Sequence, residues 1–275
     1  MSLSPCACSV HTHCTFCDGK DTPQAMAEAA FQAGVRYFGF SSHSHTPLPE
    51  DEGTTLPKDM TAYRETVLRL RAEYEGRMEI LLGIELDNLS DVSPAGFDYW
   101  IGSAHHLRVP GGGPHTVDWD EAHLTACLEE AFHGDGLAMA EAYYQEVRRI
   151  AARRPPILGH IDLVTKFNTG NRFFDQSHPR YKQAALEALH TADPRWTLLE
   201  INTGAMSRGY RDAPYPELFL LREWQTMGGQ IILTADAHSA SGILYAYGQS
   251  AELAKAAGYA QSVLLTAEGP VLCSL

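Results

Sequence analysis

The sequence predicts an α/β fold in which a parallel sheet closes into a barrel with helices outside it. Three observations predict this. Short apolar, β-rich runs alternate with helical stretches along the whole chain, as parallel strands with crossover helices require. Seven such units follow one another with no glycine fingerprint at the first turn, which fits a closed barrel better than a dinucleotide-binding sheet. Imidazoles and carboxylates recur where the strands end, the end at which parallel barrels place their working residues. No composition shift marks a boundary, so residues 1–275 are expected to form one domain, and 275 residues suffice for a sizeable core.

The elements follow in order. The run 6–10 is the first strand and delivers His11 and His13 at its end. Side chains two apart on a strand point to the same side, so these imidazoles aim together. Thr22 caps a helix that Pro23 enters and Gly34 ends. The second strand, 35–40, leads to His43 and His45, and a proline-rich acidic loop covers 46–58. A helix capped at Asp59 or Thr61 runs to about Tyr74. The third strand, 78–84, finishes in Glu85 and Asp87, and the fourth, 97–101, in His105 and His106. The Pro-Gly-Gly-Gly-Pro cluster at 110–114 reads as a loop. Helices fill 119–132 and 137–153. The fifth strand, 156–159, ends in His160 and Asp162, and a loop with Lys166, Asn168 and Arg172 leads to a helix over 179–190. The sixth strand, 196–201, ends in Asn202, and a helix over 216–227 stops at Gly228. The seventh, 230–234, ends in Asp236 and His238. A last helix is expected over 251–257 and one more short strand over 262–266.

A net charge of −13 argues against broad nucleic-acid binding, which needs a basic footprint, but not against a small anionic substrate. No apolar run is long enough to span a membrane, and the N-terminus shows no basic segment followed by an apolar one. Of the 6 cysteines, Cys6, Cys8, Cys14 and Cys17 crowd near the N-terminus. A structural zinc knuckle is disfavoured, because Cys6 and Cys8 share the first strand and no second knuckle follows. Reduced thiols in the cytoplasm are the expectation.

The strand ends together carry His11, His13, His43, Glu85, His105, His160, Glu200, Asn202, Asp236 and His238, with Asp18 close behind the first strand. Singly, each would more often be structural. Together they suit two or three first-row metal ions. A shared carboxylate can bridge such ions, and a hydroxide held between cations is nucleophilic near neutral pH. No Ser-His-Asp arrangement or phosphate-cradling Gly-x-x-x-x-Gly-Lys motif appears, so the chemistry points to metal-assisted hydrolysis.

These motifs carry a resemblance. HTHCTFCDG at 11–19, GFSSHSHTPLP at 39–49, GIELD at 83–87, GSAHHL at 102–107, GHIDLVTKF at 159–167, LEINTG at 199–204 and LTADAHS at 233–239 occur in family order over nearly the full length. The sequence resembles the PHP (polymerase and histidinol phosphatase) superfamily, and more closely its monofunctional histidinol-phosphate phosphatases. The resemblance implies a distorted (β/α)7 TIM-like barrel with up to three metals, for which zinc, iron and manganese are equally suited. It implies that His11, His13, Glu85 and Asp236 hold the first metal. Glu85 would bridge to a second held by His105 and His160, and Asp18, His43 and His238 would hold a third. Many members carry a histidine near Asp18, so an aspartate there bears on the third site. His45 and His106 would at most support ligands, and His115, His123, His133, His178 and His190 would do nothing catalytic.

Lys166 and Arg208 would grip the phosphate, with lysine standing where members often have arginine. Glu85 would serve as the bridging catalytic carboxylate, and Asp236, or a cluster histidine such as His238, would hand a proton to the leaving alkoxide. The implied reaction is hydrolysis of L-histidinol phosphate in histidine biosynthesis. Another small phosphoester such as a nucleotide, or a PHP module serving a polymerase, are the alternatives. The absence of a polymerase region and the acidic charge count against the last. The expected partner is a small phosphorylated substrate, with neither nucleic acid nor membrane.

Overall fold

The computed structural model describes residues 3–48, 53–56, 58–109 and 111–275. Its strands are β1 (Cys8–Ser9), β2 (Tyr37–Phe40), β3 (Glu79–Asp87), β4 (Tyr99–Ser103), β5 (His106–Arg108), β6 (Pro114–Thr116), β7 (Ile157–Leu158), β8 (Leu198–Asn202), β9 (Gln230–Thr234), β10 (Gln261–Thr266) and β11 (Gly269–Ser274). Its α-helices are α1 (Pro23–Gln32), α2 (Met60–Glu73), α3 (Glu121–Phe132), α4 (Gly136–Ala151), α5 (Pro179–Leu189), α6 (Gly204–Ser207), α7 (Leu218–Thr226) and α8 (Tyr247–Ala256).

Nine strands form one sheet in the order β1-β2-β3-β4-β7-β8-β9-β10-β11. Every neighbouring pair from β1 to β10 is parallel, and β11 returns antiparallel on β10. The sheet curls until β1 comes beside β9. Just beyond β1 and β9, Thr12 bridges Ala237 in parallel, the His13 amide donates to the Ala237 carbonyl at 2.8 Å, and the Ala237 amide donates to the His11 carbonyl at 3.1 Å. The expected seven parallel strands are therefore β1, β2, β3, β4, β7, β8 and β9, in chain order around a distorted barrel. Their ends all reach the same side because every crossover is a parallel one.

The barrel interior is a separate small core of Ala7, Cys8, Val10, Leu81, Tyr99, Ile101, Ile157, Ile232, Leu264 and Cys273. The Tyr99 ring crosses it, and its hydroxyl reaches the Val10 and Phe40 carbonyls. Room for the ring comes from two glycines: a Cβ on Gly39 would lie 2.3 Å from the Tyr99 hydroxyl, and one on Gly83 2.2 Å from the ring. The larger core lies between the sheet and the helices, where Tyr63, Tyr143, Tyr181 and Trp224 are fully buried.

Some boundaries differ from the sequence expectation, for local reasons. The first strand shortens because Pro5–Ala7 winds into a 3-10 turn. The fourth starts at Tyr99, not at 97, since Asp98 turns its carboxylate back to accept from the Leu82 amide at 2.7 Å. The last helix begins at Tyr247. The hairpin β5–β6, the strand β11 and the short α6 were not anticipated. Pro114, expected in a loop, pairs with Arg108 in β5–β6. Residues 49–52 and 57 of the expected acidic loop, and Pro110 of the glycine cluster, lie outside the described residues. Among the described residues no helix is long and apolar enough to cross a membrane.

Candidate functional site

All nine side chains expected as ligands converge at the closing end of the barrel. Ligand atoms lie within 4.8 Å of one another in four overlapping groups: His11, His13 and Asp236; His11, Glu85 and His160; His43, Glu85 and His105; and His13, Asp18, His43 and His238. β3 runs to Asp87 and so carries Glu85, fully buried, into the centre. Its Oε2 lies 3.2 Å from His11 Nε2, 3.4 Å from His13 Nε2 and 2.9 Å from His43 Nδ1. Its Oε1 lies 3.0 Å from His160 Nε2 and 3.5 Å from His105 Nε2. Asp236 stands opposite, its Oδ1 3.2 Å from His13 Nε2 and 3.4 Å from His238 Nδ1. Asp236 adopts a positive φ of 48°, and the absence of a side chain at Gly204 makes room for it: a Cβ there would meet its Oδ2 at 2.3 Å. Asp18 sits at the outer rim, its Oδ2 3.1 Å from His238 Nε2 and its Oδ1 3.6 Å from His43 Nε2.

These donors fit a cluster of divalent ions. His11 Nε2, His13 Nε2 and Glu85 Oε2 are buried and make no hydrogen bond among the described residues, although they face one another closely. Buried polar atoms left this way are costly unless something else satisfies them. The electrostatics agree. Against the cost of burial, His11, His43 and His105 hold Glu85 well below the ordinary carboxylate range. Asp236 is also held well below it, by Arg208 and His11, again against burial. Burial and the neighbouring imidazoles His238 and His43 push His13 down to about 3, leaving it a neutral donor. Burial opposes charge on His11 and His43 as well, but Glu200 and Glu85 raise the first, and Glu85 and Asp18 the second, well above 6.5.

Two carboxylates behind the ligands, Glu200 and Asp87, read in the sequence as strand-end residues with no role in holding an imidazole. Glu200 Oε1 bonds His11 Nδ1 and accepts from the Thr234 hydroxyl at 2.6 Å. Its Oε2 accepts from the His160 amide at 2.7 Å and Asn202 Nδ2 at 3.0 Å. Asp87 Oδ2 lies 3.1 Å from His105 Nδ1, and its Oδ1 3.2 Å from His106 Nδ1. Both fix an imidazole by its outer nitrogen and leave the inner one for a ligand. Asp87 stands two residues past Glu85 on β3, which is the signal that could have found it; β8 carries no ligand that would point to Glu200 in the same way. Cys17 Sγ lies 3.5 Å from His13 Nδ1 and joins no ligand group, and all six cysteines are free.

Above the cluster opens a cavity of about 1040 Å³, lined by Asp18, His43, His105, His160, Asp236 and His238 and also by Lys166, Arg208 and Asp118. Arg208, half-buried, places Nη2 3.3 Å from Asp236 Oδ2 and Nη1 2.7 Å from His238 Nδ1. Lys166 is buried, and its ammonium donates to the Asp118 carbonyl at 2.6 Å and lies 3.4 Å from Asp118 Oδ2. The helix and loop histidines expected to be idle do not line this cavity. His178 caps α5, His190 pairs with Glu223, and His115 lies tilted beside His123, ring centroids 5.9 Å apart. His106 lines it through its place on β5.

The PHP domain family pattern matches residues 8–204. The histidinol-phosphatase of Bacillus subtilis (strain 168) is 26% identical over 261 residues, covering 86% of this chain and 95% of that protein. The histidinol-phosphatase of Lactococcus lactis subsp. lactis (strain IL1403) is 25% identical over 266 residues, covering 90% of each. Among solved structures, a putative histidinol phosphatase from Listeria monocytogenes superposes with a TM-score of 0.73 at 18% identity, over 87% of this chain and 98% of that one. The histidinol phosphate phosphatase from Lactococcus lactis, solved with zinc, L-histidinol and phosphate, superposes at 0.65 and 19% identity over 96% and 98%. These two likenesses concern the fold.

Proposed function

The chain belongs to the PHP domain family, and we propose that it is a metal-dependent phosphomonoesterase that hydrolyses L-histidinol phosphate to L-histidinol and phosphate, in histidine biosynthesis. The observation that carries this reading is the convergence of nine ligand-type side chains around Glu85, beneath a cavity that also holds Arg208 and Lys166. The two curated histidinol-phosphatases, similar over most of this chain, support the substrate. The whole chain, 1–275, acts as one domain, and the six free cysteines suit the cytoplasm.

His11, His13, Glu85 and Asp236 would hold one divalent ion, Glu85 with His105 and His160 a second, and Asp18, His43 and His238 a third. Such ions supply Lewis acidity, which neutralises phosphate charge and makes water acidic enough to attack near neutral pH. Zinc, iron and manganese all suit this imidazole–carboxylate set. Arg208 binds the phosphate with a planar fork of donors at the edge of the cluster. Lys166 spends its shortest bond on Asp118 and has further N–H groups to offer the cavity. Asp236 or His238, the groups nearest Arg208, would take up the proton that the attacking water gives up and hand it to the departing alkoxide. Glu85 keeps the imidazoles on three sides of it in register.

Phosphate release from L-histidinol phosphate, adenosine monophosphate and a sugar phosphate tests the reading. Fastest release from L-histidinol phosphate is expected. Far faster release from a nucleotide would keep the metallophosphoesterase and remove the histidine-pathway assignment.

A further inference from the structure

The cavity is much larger than a phosphate needs, and its outer wall is not polar throughout. Among the described residues eight large hydrophobic side chains are exposed, and three of them, Trp119, Tyr210 and Tyr245, line this one cavity. They come from three separate segments: the turn after β6, the loop after α6 and the loop after β9. Tyr210 is already engaged, since its ring packs edge-on against Phe167 and carries the Lys166 ammonium 5.0 Å from its centre. The indole of Trp119, 58% exposed, stacks on no ring and takes no cation among the described residues.

Trp119 is exposed but not loosely attached. Its neighbour Asp118 is held by Lys166 through both carbonyl and carboxylate, and Asp118 Oδ1 accepts from the Thr116 hydroxyl at 3.0 Å. The Val117 amide donates to the carbonyl of the ligand residue His105 at 2.8 Å. On the other side the Asp120 carboxylate caps α3 by accepting from the His123 amide at 2.7 Å. An exposed indole on a backbone pinned on both sides is preorganised, so little ordering cost remains when something flat lies on it.

We infer that Trp119 is a specificity-determining binding residue: its ring is the platform on which the flat ring of the substrate stacks while the phosphate lies at the metal cluster. This rests on the phosphomonoesterase reading and extends it to the far end of the substrate, whose class it fixes as a phosphomonoester bearing a flat ring. On the same geometry the ion pair of buried Lys166 with Asp118 is the strut that holds the platform over the cluster.

The test compares kcat/KM of the metal-loaded enzyme on L-histidinol phosphate with that on ethanolamine phosphate, which keeps the amine and phosphate but has no ring. In Trp119→Ala the value for L-histidinol phosphate should fall roughly tenfold or more, mainly through KM. Ethanolamine phosphate should change by less than about twofold, metal content and melting temperature should stay as in the parent, and Trp119→Phe should recover most of the loss. Equal losses on both substrates, or no loss on the ring-bearing one, would overturn the inference. If the parent enzyme prefers another ring-bearing ester, such as adenosine monophosphate, the histidine-pathway reading fails, and the same comparison with that ester decides the role of Trp119. A parent enzyme that prefers ethanolamine phosphate refutes both.

Discussion

Glu200 shows how one side chain can serve four partners. Its two oxygens receive donors from His11, Thr234, the His160 amide and Asn202, so that segments following β1 and β7 are tied to β8 and β9 through a single buried carboxylate. Glu200→Gln keeps the volume but turns one acceptor into a donor facing donors. Metal affinity, read by chelator competition, should fall roughly 10–100-fold, as expected when the outer partner of a ligating histidine is lost. Asp162 offers a different test. Burial pushes its carboxyl up from 3.8 to about 6, while Oδ1 is left without a hydrogen bond among the described residues. A carboxyl that holds its proton more tightly when folded contributes stability that is complete below its unfolded pKa and lost as pH rises through about 6. Asp162→Asn should therefore remove a fall of up to about 3 kcal/mol between pH 4 and pH 7, seen as a flatter curve of unfolding free energy against pH. The ligand residues were legible as residues because all but Asp18 lie at or just beyond the end of a strand. Glu200 and Asp87 were not legible as supports, because an outer-nitrogen contact depends on the curl of the sheet and leaves no spacing of its own.

At the level of elements, strand–helix alternation was readable because each parallel strand is an apolar run bounded by turn residues, and a crossover helix needs caps that sequence displays. Thr22, Asp120 and Asp135 do cap their helices, accepting from the Ala25, His123 and Ala138 amides. The hairpin β5–β6 was not readable, since three-residue strands across a glycine cluster have too little alternation to stand out. β11 was hidden for the opposite reason: Val271 and Leu272 are exposed, so its pattern is not that of a strand facing a core. The interior of the barrel makes a sharper prediction. Tyr99 fits only because β2 and β3 present Gly39 and Gly83 to its ring. Gly83→Ala places a methyl inside that ring and should cost about 1–3 kcal/mol in denaturant unfolding, as overpacking does. The double variant Gly83→Ala, Tyr99→Leu should recover part of the loss if the clash is the cause.

Across the whole molecule the ligands come from or just beyond β1, β2, β3, β4, β7 and β9, so bound ions would tie most of the barrel rim together. Anything that binds the folded state alone stabilises it by about 2.7 kcal/mol at a hundred times its dissociation constant. Chelation should then lower the melting temperature by several degrees, at roughly 2–4 °C per kcal/mol for a chain of this order of size. The protons supply an independent measure. In the metal-free chain His11 and His43 are held well above 6.5, stability that is complete below the unfolded value and lost as pH rises through the folded one. Metals need these imidazoles neutral, so calorimetry in buffers of different ionisation enthalpy should detect proton release on metal binding near neutral pH. Barrel class and the end that carries the site were legible in the sequence because parallel topology leaves every crossover on one hand. The depth of the cavity and its aromatic wall depend on loops, and loop conformation is not written in periodicity.

The pairing of Thr12 with Ala237 closes β1 onto β9, so the centre cannot be assembled from either half of the polypeptide. Cut at the exposed Gly111–Gly113 turn, the chain would yield one fragment with His11, His13, His43, Glu85 and His105, and another with His160, Asp236 and His238. Each fragment alone would be silent. Activity on mixing would rise with the product of their concentrations, which makes the barrel seam a natural split reporter for bringing two fused proteins together.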